Sequence, residues 1–510
     1  MVVLSARPLT IDEVVAVARG REPVEVDPAV DASMGPARET IRRAVEESRT
    51  VYGVTTGFGA LATTRLAPAE ARKVQESLVL SHAAGMGAPV EAEVVRAMQL
   101  LRARTLAAGR SGARPALVHA IVGLLNAGLT PAVPEAGSLG ASGDLAPLAH
   151  AALVLMGEGW VLAEDGRTPV DAGPVLRAAG IEPETLEAKE GLALLNGTEG
   201  MLAHLCLAVA DLDVILRTAD VACAMSVEAL RGTDANFAER IHALRPHPGQ
   251  VVAAANLRAL LAGSPIVASH RTGHQAVQDA YSIRCAPVVH GAARDALDHA
   301  RRVVAIELAS VTDNPVVFAD DGAVVSTGNF HGQPLANAAD FVAVALAGLG
   351  AVIERRIDRL MDPTRSDGLP PFLARDAGVN SGFMLAHYTA AALVNRLRAA
   401  AAPSSIDSIS TSGGQEDHVS MGWNACRSLA TAVADLARVV AIEAVCAAEA
   451  VELRGISPGA ATAAAIAALR TVVAPMDVDR FLAPDLAAAE GHVRRGALLD
   501  AVEAVTGRLS

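Results

Sequence analysis

Aromatic side chains are scarce in this chain: two Trp, three Tyr and eight Phe make up 3% of 510 residues, although hydrophobic residues reach 51%. The core must therefore be built from Ala, Val and Leu. Such a composition favours closely packed helices, because alanine is the best helix former and lets helix axes approach, whereas sheets favour β-branched and aromatic residues. Cysteine is scarce too. Cys206, Cys223, Cys285, Cys426 and Cys446 are an odd number without a Cys-x-x-Cys pair, which argues against a disulfide framework or a zinc knuckle and suits a reducing cytoplasm. Positive charge is in deficit. The formal net charge is −13, and no basic block is interleaved with aromatics, so nucleic acid is not an expected partner. Arg7, Asp12 and Glu13 follow Met1 closely, which argues against a secretory signal. The uncharged stretch 377–395 is long enough for a bilayer, but Asn380, Ser381, His387, Tyr388 and Thr389 make it too polar; no segment reads as membrane-spanning.

Length alone suggests more than one domain, yet no linker, low-complexity tail or fixed-period repeat marks a boundary. Residues 1–200 read as a loop-rich N-terminal part of short helices between glycine and proline punctuation, and residues 201–510 as a long-helix bundle. Two hairpins are expected, one over 160–162 turning at Glu164-Asp165-Gly166 and one over 316–318 turning at Asp320-Asp321-Gly322. Within 425–454, Leu429, Val433, Leu436 and Val440 recur at helical spacing while Arg427, Asp435 and Arg438 take other faces, and Gly455 with Pro458 supplies a stop. Residues 341–353 carry no charge on any face and read as a helix at the centre of the bundle, with neighbours all round. The expected fold class is mainly α.

One segment stands out chemically: Gly137-Ser138-Leu139-Gly140-Ala141-Ser142-Gly143-Asp144. Ala-Ser-Gly between flexible glycines can cyclise on itself. If the Gly143 nitrogen attacks the Ala141 carbonyl and two waters leave, one carrying the Ser142 hydroxyl, a methylidene-imidazolone electrophile results. Gly143 offers an unhindered nitrogen, Ala141 an accessible carbonyl, and the glycines permit the sharp approach. An ordinary glycine-rich turn would read the same way in isolation. Five further blocks accompany it in order: Tyr52-Gly53-Val54-Thr55-Thr56-Gly57-Phe58-Gly59, Leu194-Leu195-Asn196-Gly197-Thr198, Gln278-Asp279-Ala280-Tyr281-Ser282-Ile283-Arg284-Cys285, Gly328-Asn329-Phe330-His331 and Gln415-Glu416-Asp417-His418-Val419-Ser420.

Together these blocks resemble the signatures of the aromatic amino acid ammonia-lyases and aminomutases. The resemblance implies a fold of the fumarase/aspartase-like helical superfamily. It also implies a 4-methylidene-imidazol-5-one formed from Ala141, Ser142 and Gly143, with no external organic cofactor, and a homotetramer whose active sites are shared between subunits and whose oligomerisation core is residues 201–510. It points to Tyr52 as the catalytic base. A free phenol has a pKa of about 10, so its use at neutral pH costs about 4 kcal/mol unless donors or positive charge assist. Tyr281 is placed with the catalytic residues. Arg284 suits the substrate carboxylate through its planar fork; Gln278, Tyr281 and Arg284 step by three and would share a broad face if helical. Asn196 resembles the family asparagine at the carboxylate and electrophile, with helix capping as its ordinary alternative. Phe330 matches the aromatic that packs on the electrophile, with core packing as the alternative. Asp144 is expected to support the electrophile loop, or to serve only as a helix N-cap.

His82 and Glu416 resemble the members of the family that act on histidine, where phenylalanine and tyrosine lyases have leucine and glutamine. Glu416 can accept from a ring N–H and His82 can donate or accept, whereas a buried carboxylate beside a phenyl ring would be costly. The substrate implied is L-histidine, and the products trans-urocanate and ammonia. A tyrosine or phenylalanine lyase, an aminomutase, and a non-catalytic helical scaffold that never forms the ring remain as alternatives. Gly413-Gly414, just before Gln415, departs from the family pattern and bears on the placement of Glu416. No metal is expected: His247, and His270 with His274 one turn apart, have no partnering ligand.

Overall fold

The computed structural model describes residues 1–510 except 60–62, 66, 68–69 and 272–276, so His274 lies outside the described residues. The described chain is mostly helical, with short strands in two-stranded sheets. It divides into two compact units. Met1–Ala210, Ala300–Ala339 and Pro403–Arg427 form the first, and Asp211–His299, Asp340–Ala402 and Ser428–Ser510 the second.

In the first unit the helices Ala71–His82, Leu145–Leu155 and Glu190–Leu195 pack on one another. The second of these is almost wholly apolar, and every residue of the third is buried; burial against neighbours, rather than length, holds such short helices. The helix Ala92–Ala107 packs against Pro115–Asn126 and Ile11–Ala18. It buries Arg96, Arg102 and Arg104. With few aromatics available, these arginines tie loops together from within: Arg96 donates to the carbonyls of Val17 and Leu125, and Arg104 to those of Ala6, Ala309 and Ser310. Both expected hairpins are present, Trp160–Leu162 with Pro169–Asp171 and Val316–Phe318 with Ala323–Val325. Two further pairs were not expected. Val2–Leu4 runs parallel to Val24–Val26, and Met86–Pro89 antiparallel to Pro134–Ala136; their partners are distant in sequence, so no local turn announces them.

In the second unit Ala460–Arg470 packs on Ala497–Thr506 and Pro248–Leu261. Buried charges are paired there: Arg356 with Glu443, which also accepts from Ser226, and Asp220 with His290 and Arg294. The expected helix over 425–454 is Gly422–Leu453, with Leu429, Val433, Leu436 and Val440 buried. Asp435, on another face of the helix, is also buried, paired with Arg396 and Arg438. The uncharged run 341–353 lies in the helix Gln333–Met361, but not with neighbours all round. Phe341 and Val344 are 53% and 50% exposed. Although no segment reads as membrane-spanning from the sequence, this helix is long and apolar enough to cross a membrane by length and composition; more than half of its most apolar window is buried within the chain. Residues 377–395 do not form one span, since helix begins only at Met384.

No disulfide joins Cys206, Cys223, Cys285, Cys426 and Cys446, and all but Cys285 are buried. His270 is buried with its ring nitrogens facing the carbonyls of Ile266 and Gly232, rather than solvated.

Candidate active site

Three helix ends meet in the first unit. His82 closes the helix Ala71–His82, Ser142 to Asp144 lead into Leu145–Leu155, and Asn196 caps the C-terminus of Glu190–Leu195. Between them lies a cavity of about 650 Å³ lined by Tyr52, His82, Ser142, Asn196 and Glu416 together with Phe58 and Thr411, within the range of small-molecule sites. Five expected residues are thus gathered around one space. Gln278, Tyr281 and Arg284 belong to the second unit, and Phe330 is not among the lining residues.

The electrophile segment is held from several sides. Ala141 packs with Val419, Met421 and Leu139. The Gly140 carbonyl accepts from Ser420 Oγ at 2.8 Å and from the Gly332 amide at 3.1 Å, which ties the Phe330 turn to this loop. Gly143 has φ +74°, and a Cβ there would stand 2.0 Å from the Gly197 oxygen, so only glycine fits. The Asp144 amide donates to that same oxygen at 2.7 Å. Asn196 uses its side chain on this loop rather than on a helix end, Nδ2 donating to the Ser142 carbonyl at 2.7 Å. Nor does the Asp144 side chain cap its own helix. It accepts from Ser138 Oγ and from the Met201 amide in the first turns of Glu199–Ala229, both at 2.8 Å, and complete burial pushes its carboxyl up to about 7.

Ser142 Oγ donates to Glu416 Oε1 at 3.0 Å, and Thr411 Oγ1 donates to Glu416 Oε2 at 3.2 Å. Glu416 is half-buried at the end of a turn in which Gly413 and Gly414 have φ +64° and +86°, so the two glycines supply a conformation other residues rarely adopt. His82 is half-buried with Nδ1 3.1 Å from Ser81 Oγ. Burial pushes its imidazole below the ordinary range, against the pull of the Glu416 carboxylate. Tyr52 accepts the Gly59 amide on its hydroxyl at 3.0 Å. His418 Nδ1 lies 3.1 Å from Ser408 Oγ. In the second unit, Tyr281–Arg284 is a four-residue helix that starts after Gln278, so only Tyr281 and Arg284 share it. The Arg284 guanidinium lies 4.3 Å from the centre of the 70% exposed Tyr281 ring.

Among the described residues no group of three or more His, Cys, Asp or Glu could hold a metal ion. Sequence reasoning did not pick out Val74, Ser77, Leu78 and Ser81, which line the cavity along one face of the Ala71–His82 helix; their spacing up to His82 was an available signal. Phe58 lay inside a motif already singled out.

The model of the aromatic amino acid lyases matches residues 9–471. The chain belongs to the aromatic amino acid lyase family. This aromatic amino acid lyase is 53% identical to the histidine ammonia-lyase of Streptomyces avermitilis, over 100% of the chain and 99% of that protein. The histidine ammonia-lyase structure from Trypanosoma cruzi is 41% identical with a TM-score of 0.91, covering 99% of this chain and 95% of that one. The tyrosine aminomutase of Streptomyces globisporus is 38% identical with a TM-score of 0.93, and both chains are covered completely. The mainly α fold is that of these relatives.

Proposed function

We propose that this lyase removes ammonia from L-histidine without oxidation, giving trans-urocanate. The observation that carries this reading is the convergence of His82, Glu416 and Ser142 on one cavity, with Ser142 Oγ 3.0 Å from Glu416 Oε1. Relatives about half identical over the full chain and named histidine ammonia-lyases support it.

The proposed cofactor is a 4-methylidene-imidazol-5-one formed from Ala141, Ser142 and Gly143. When present, it supplies an electrophile that makes the substrate amine a better leaving group. The surrounding chain fits such a ring: Gly143 has no side chain to obstruct it, and Asn196 Nδ2 donates to the one carbonyl that ring closure retains, that of Ser142. Loss of the Ser142 hydroxyl frees Glu416 Oε1 to accept an imidazole N–H. Largely neutral His82 offers the second ring contact, a pairing that a phenyl ring could not satisfy. Tyr52 is the proposed base, its oxygen already facing the Gly59 N–H, a donor that a phenolate would keep. Arg284 is proposed to bind the substrate carboxylate, with Gln278 and Tyr281 beside it in sequence; Phe330 is proposed to shape the surroundings of the electrophile, and Asp144 to support its loop.

The proposed assembly is a homotetramer with shared active sites. Exposed apolar side chains on the described helices support it, Phe341 and Val344 on one and Leu385 and Tyr388 on another.

Purified protein is expected to convert L-histidine to a product with the ultraviolet absorbance of urocanate, and Glu416→Gln to lower kcat/KM about ten- to hundredfold, as loss of a charge-assisted hydrogen bond does, with an unchanged melting temperature. Coumarate, cinnamate or a β-amino acid from another substrate, with no urocanate, would sink the histidine reading. An intact mass without the two-water deficit, or a fully active Ser142→Ala variant, would sink the electrophile.

A further inference from the structure

Bound to the backbone of Asn196, a residue of the cavity lining, is a charged pair with no obvious structural benefit. Arg102 and Glu199 are both 3% exposed. Arg102 Nη1 donates to Glu199 Oε1 at 2.9 Å and to the Asn196 carbonyl at 3.1 Å. Arg102 Nε and Nη2, Glu199 Oε2 and the nearby Gln99 Oε1 are buried without hydrogen-bond partners. Buried pairs with unsatisfied atoms are poor stabilisers, and well-packed apolar replacements often match or exceed them.

What the pair does hold is the Asn196–Gly197 peptide. Arg102 binds the carbonyl at one end of it, and the Asp144 amide binds the Gly197 carbonyl at 2.7 Å. The pair rests directly on Gly197, where a Cβ would stand 2.3 Å from Arg102 Nη1 and 2.2 Å from Glu199 Oε2. On its other side Gly197 abuts Gly143, with which it forms a parallel bridge. Asn196 then reaches the Ser142 carbonyl. A continuous path of contacts thus runs from the ion pair through two glycines to the nitrogen that must attack.

We propose that Arg102, held by Glu199, is a positioning residue for ring closure: it fixes the Asn196–Gly197 peptide as the template against which Ser142 and Gly143 are bent. The proposal rests on the reading that the ring forms. In that closure the Gly143 N–H adds across the Ala141 C=O, forming the N–C bond and a carbinol. The carbinol hydroxyl leaves with the Ser142 N–H proton as water, making the C=N bond. The Ser142 hydroxyl leaves with the Ser142 Cα proton as the second water, making the methylidene. No oxidant or external reactant is required, so the rate depends on how the backbone is held.

The test follows ring formation, not turnover. Parent, the double variant Arg102→Met/Glu199→Leu and the conservative Arg102→Lys are synthesised in a cell-free system. Folded soluble chain is sampled over time, and intact mass gives the fraction lacking two waters; near-ultraviolet circular dichroism reports folding. The folded double variant is expected to mature on the order of tenfold more slowly than the parent, the loss of one charge-assisted hydrogen bond, with partial recovery in Arg102→Lys. A purely structural role would alter the yield of folded chain but not its rate of maturation. Parent-rate maturation of the folded double variant overturns the proposal. Should that variant not fold, parent-rate maturation of Arg102→Lys overturns it and slower maturation supports it. A parent chain that never loses the two waters defeats the electrophile reading itself, a result separate from either.

Discussion

Asp144 sits at a point where burial and hydrogen bonding pull in opposite directions. Burial raises its carboxyl to about 7 from the ordinary 3.8, although Ser138 and the Met201 amide both donate to it. Between those pH values the folded chain holds a proton that the unfolded chain has released, so stability falls as pH rises through the window and the full cost is present above about 7. Asp144→Asn stays neutral throughout. The melting temperature of the parent relative to this variant is expected to drop as pH is raised from 4 to 7; a difference that stays level across the series would show that the carboxyl does not titrate there. At this scale much was legible in the sequence. Tyr52, His82, Asn196 and Glu416 are polar residues in motifs whose chemistry demands them, and all reach the cavity. Arg102 was not legible, because an arginine in a helix carries no local sign that it will be buried under a glycine.

Short elements, rather than long ones, set the geometry of the site. Helices of six to twelve residues end where His82, Ser142 and Asn196 must stand, and a glycine turn delivers Glu416. At Gly413 and Gly414, φ values of +64° and +86° explain both residues. Nothing lies within 4 Å of a Cβ built at Gly414, so alanine there meets strain without collision, about 1–2 kcal/mol. Gly414→Ala is expected to lower kcat/KM for histidine about five- to thirtyfold while melting hardly changes, because the turn is exposed. Unaltered kinetics would mean that the turn does not govern Glu416. The hairpins were visible beforehand because their turns are local. The pairs Val2–Leu4 with Val24–Val26 and Met86–Pro89 with Pro134–Ala136 were not, since three residues of strand carry almost no pattern and their partners are remote.

At the scale of the whole molecule, the unsatisfied feature is apolar surface. Phe341 and Val344 on one helix, and Leu385 and Tyr388 on another, are at least half exposed, and exposed apolar side chains of this kind are what the proposed homotetramer would cover. The double variant Phe341→Asp/Val344→Asp is expected to sediment as a smaller species than the parent and to lose urocanate production; a parent that sediments as a monomer, or a variant that sediments with it, would remove the proposed assembly. The absence of charge from residues 341–353 predicted a helix with neighbours all round, and it could not say whether those neighbours belong to the same chain. By itself the sequence determined the helical class, through its alanine-rich and aromatic-poor composition, and the reaction chemistry, through short motifs whose residue types have few other uses. Only the tertiary structure decided which side chains share the cavity, that Asp144 serves a helix other than its own, that Asp435 is buried, and that an ion pair lies behind Gly197. Those are matters of burial and approach between residues far apart in sequence, and a local pattern holds no information about what will come to lie against it.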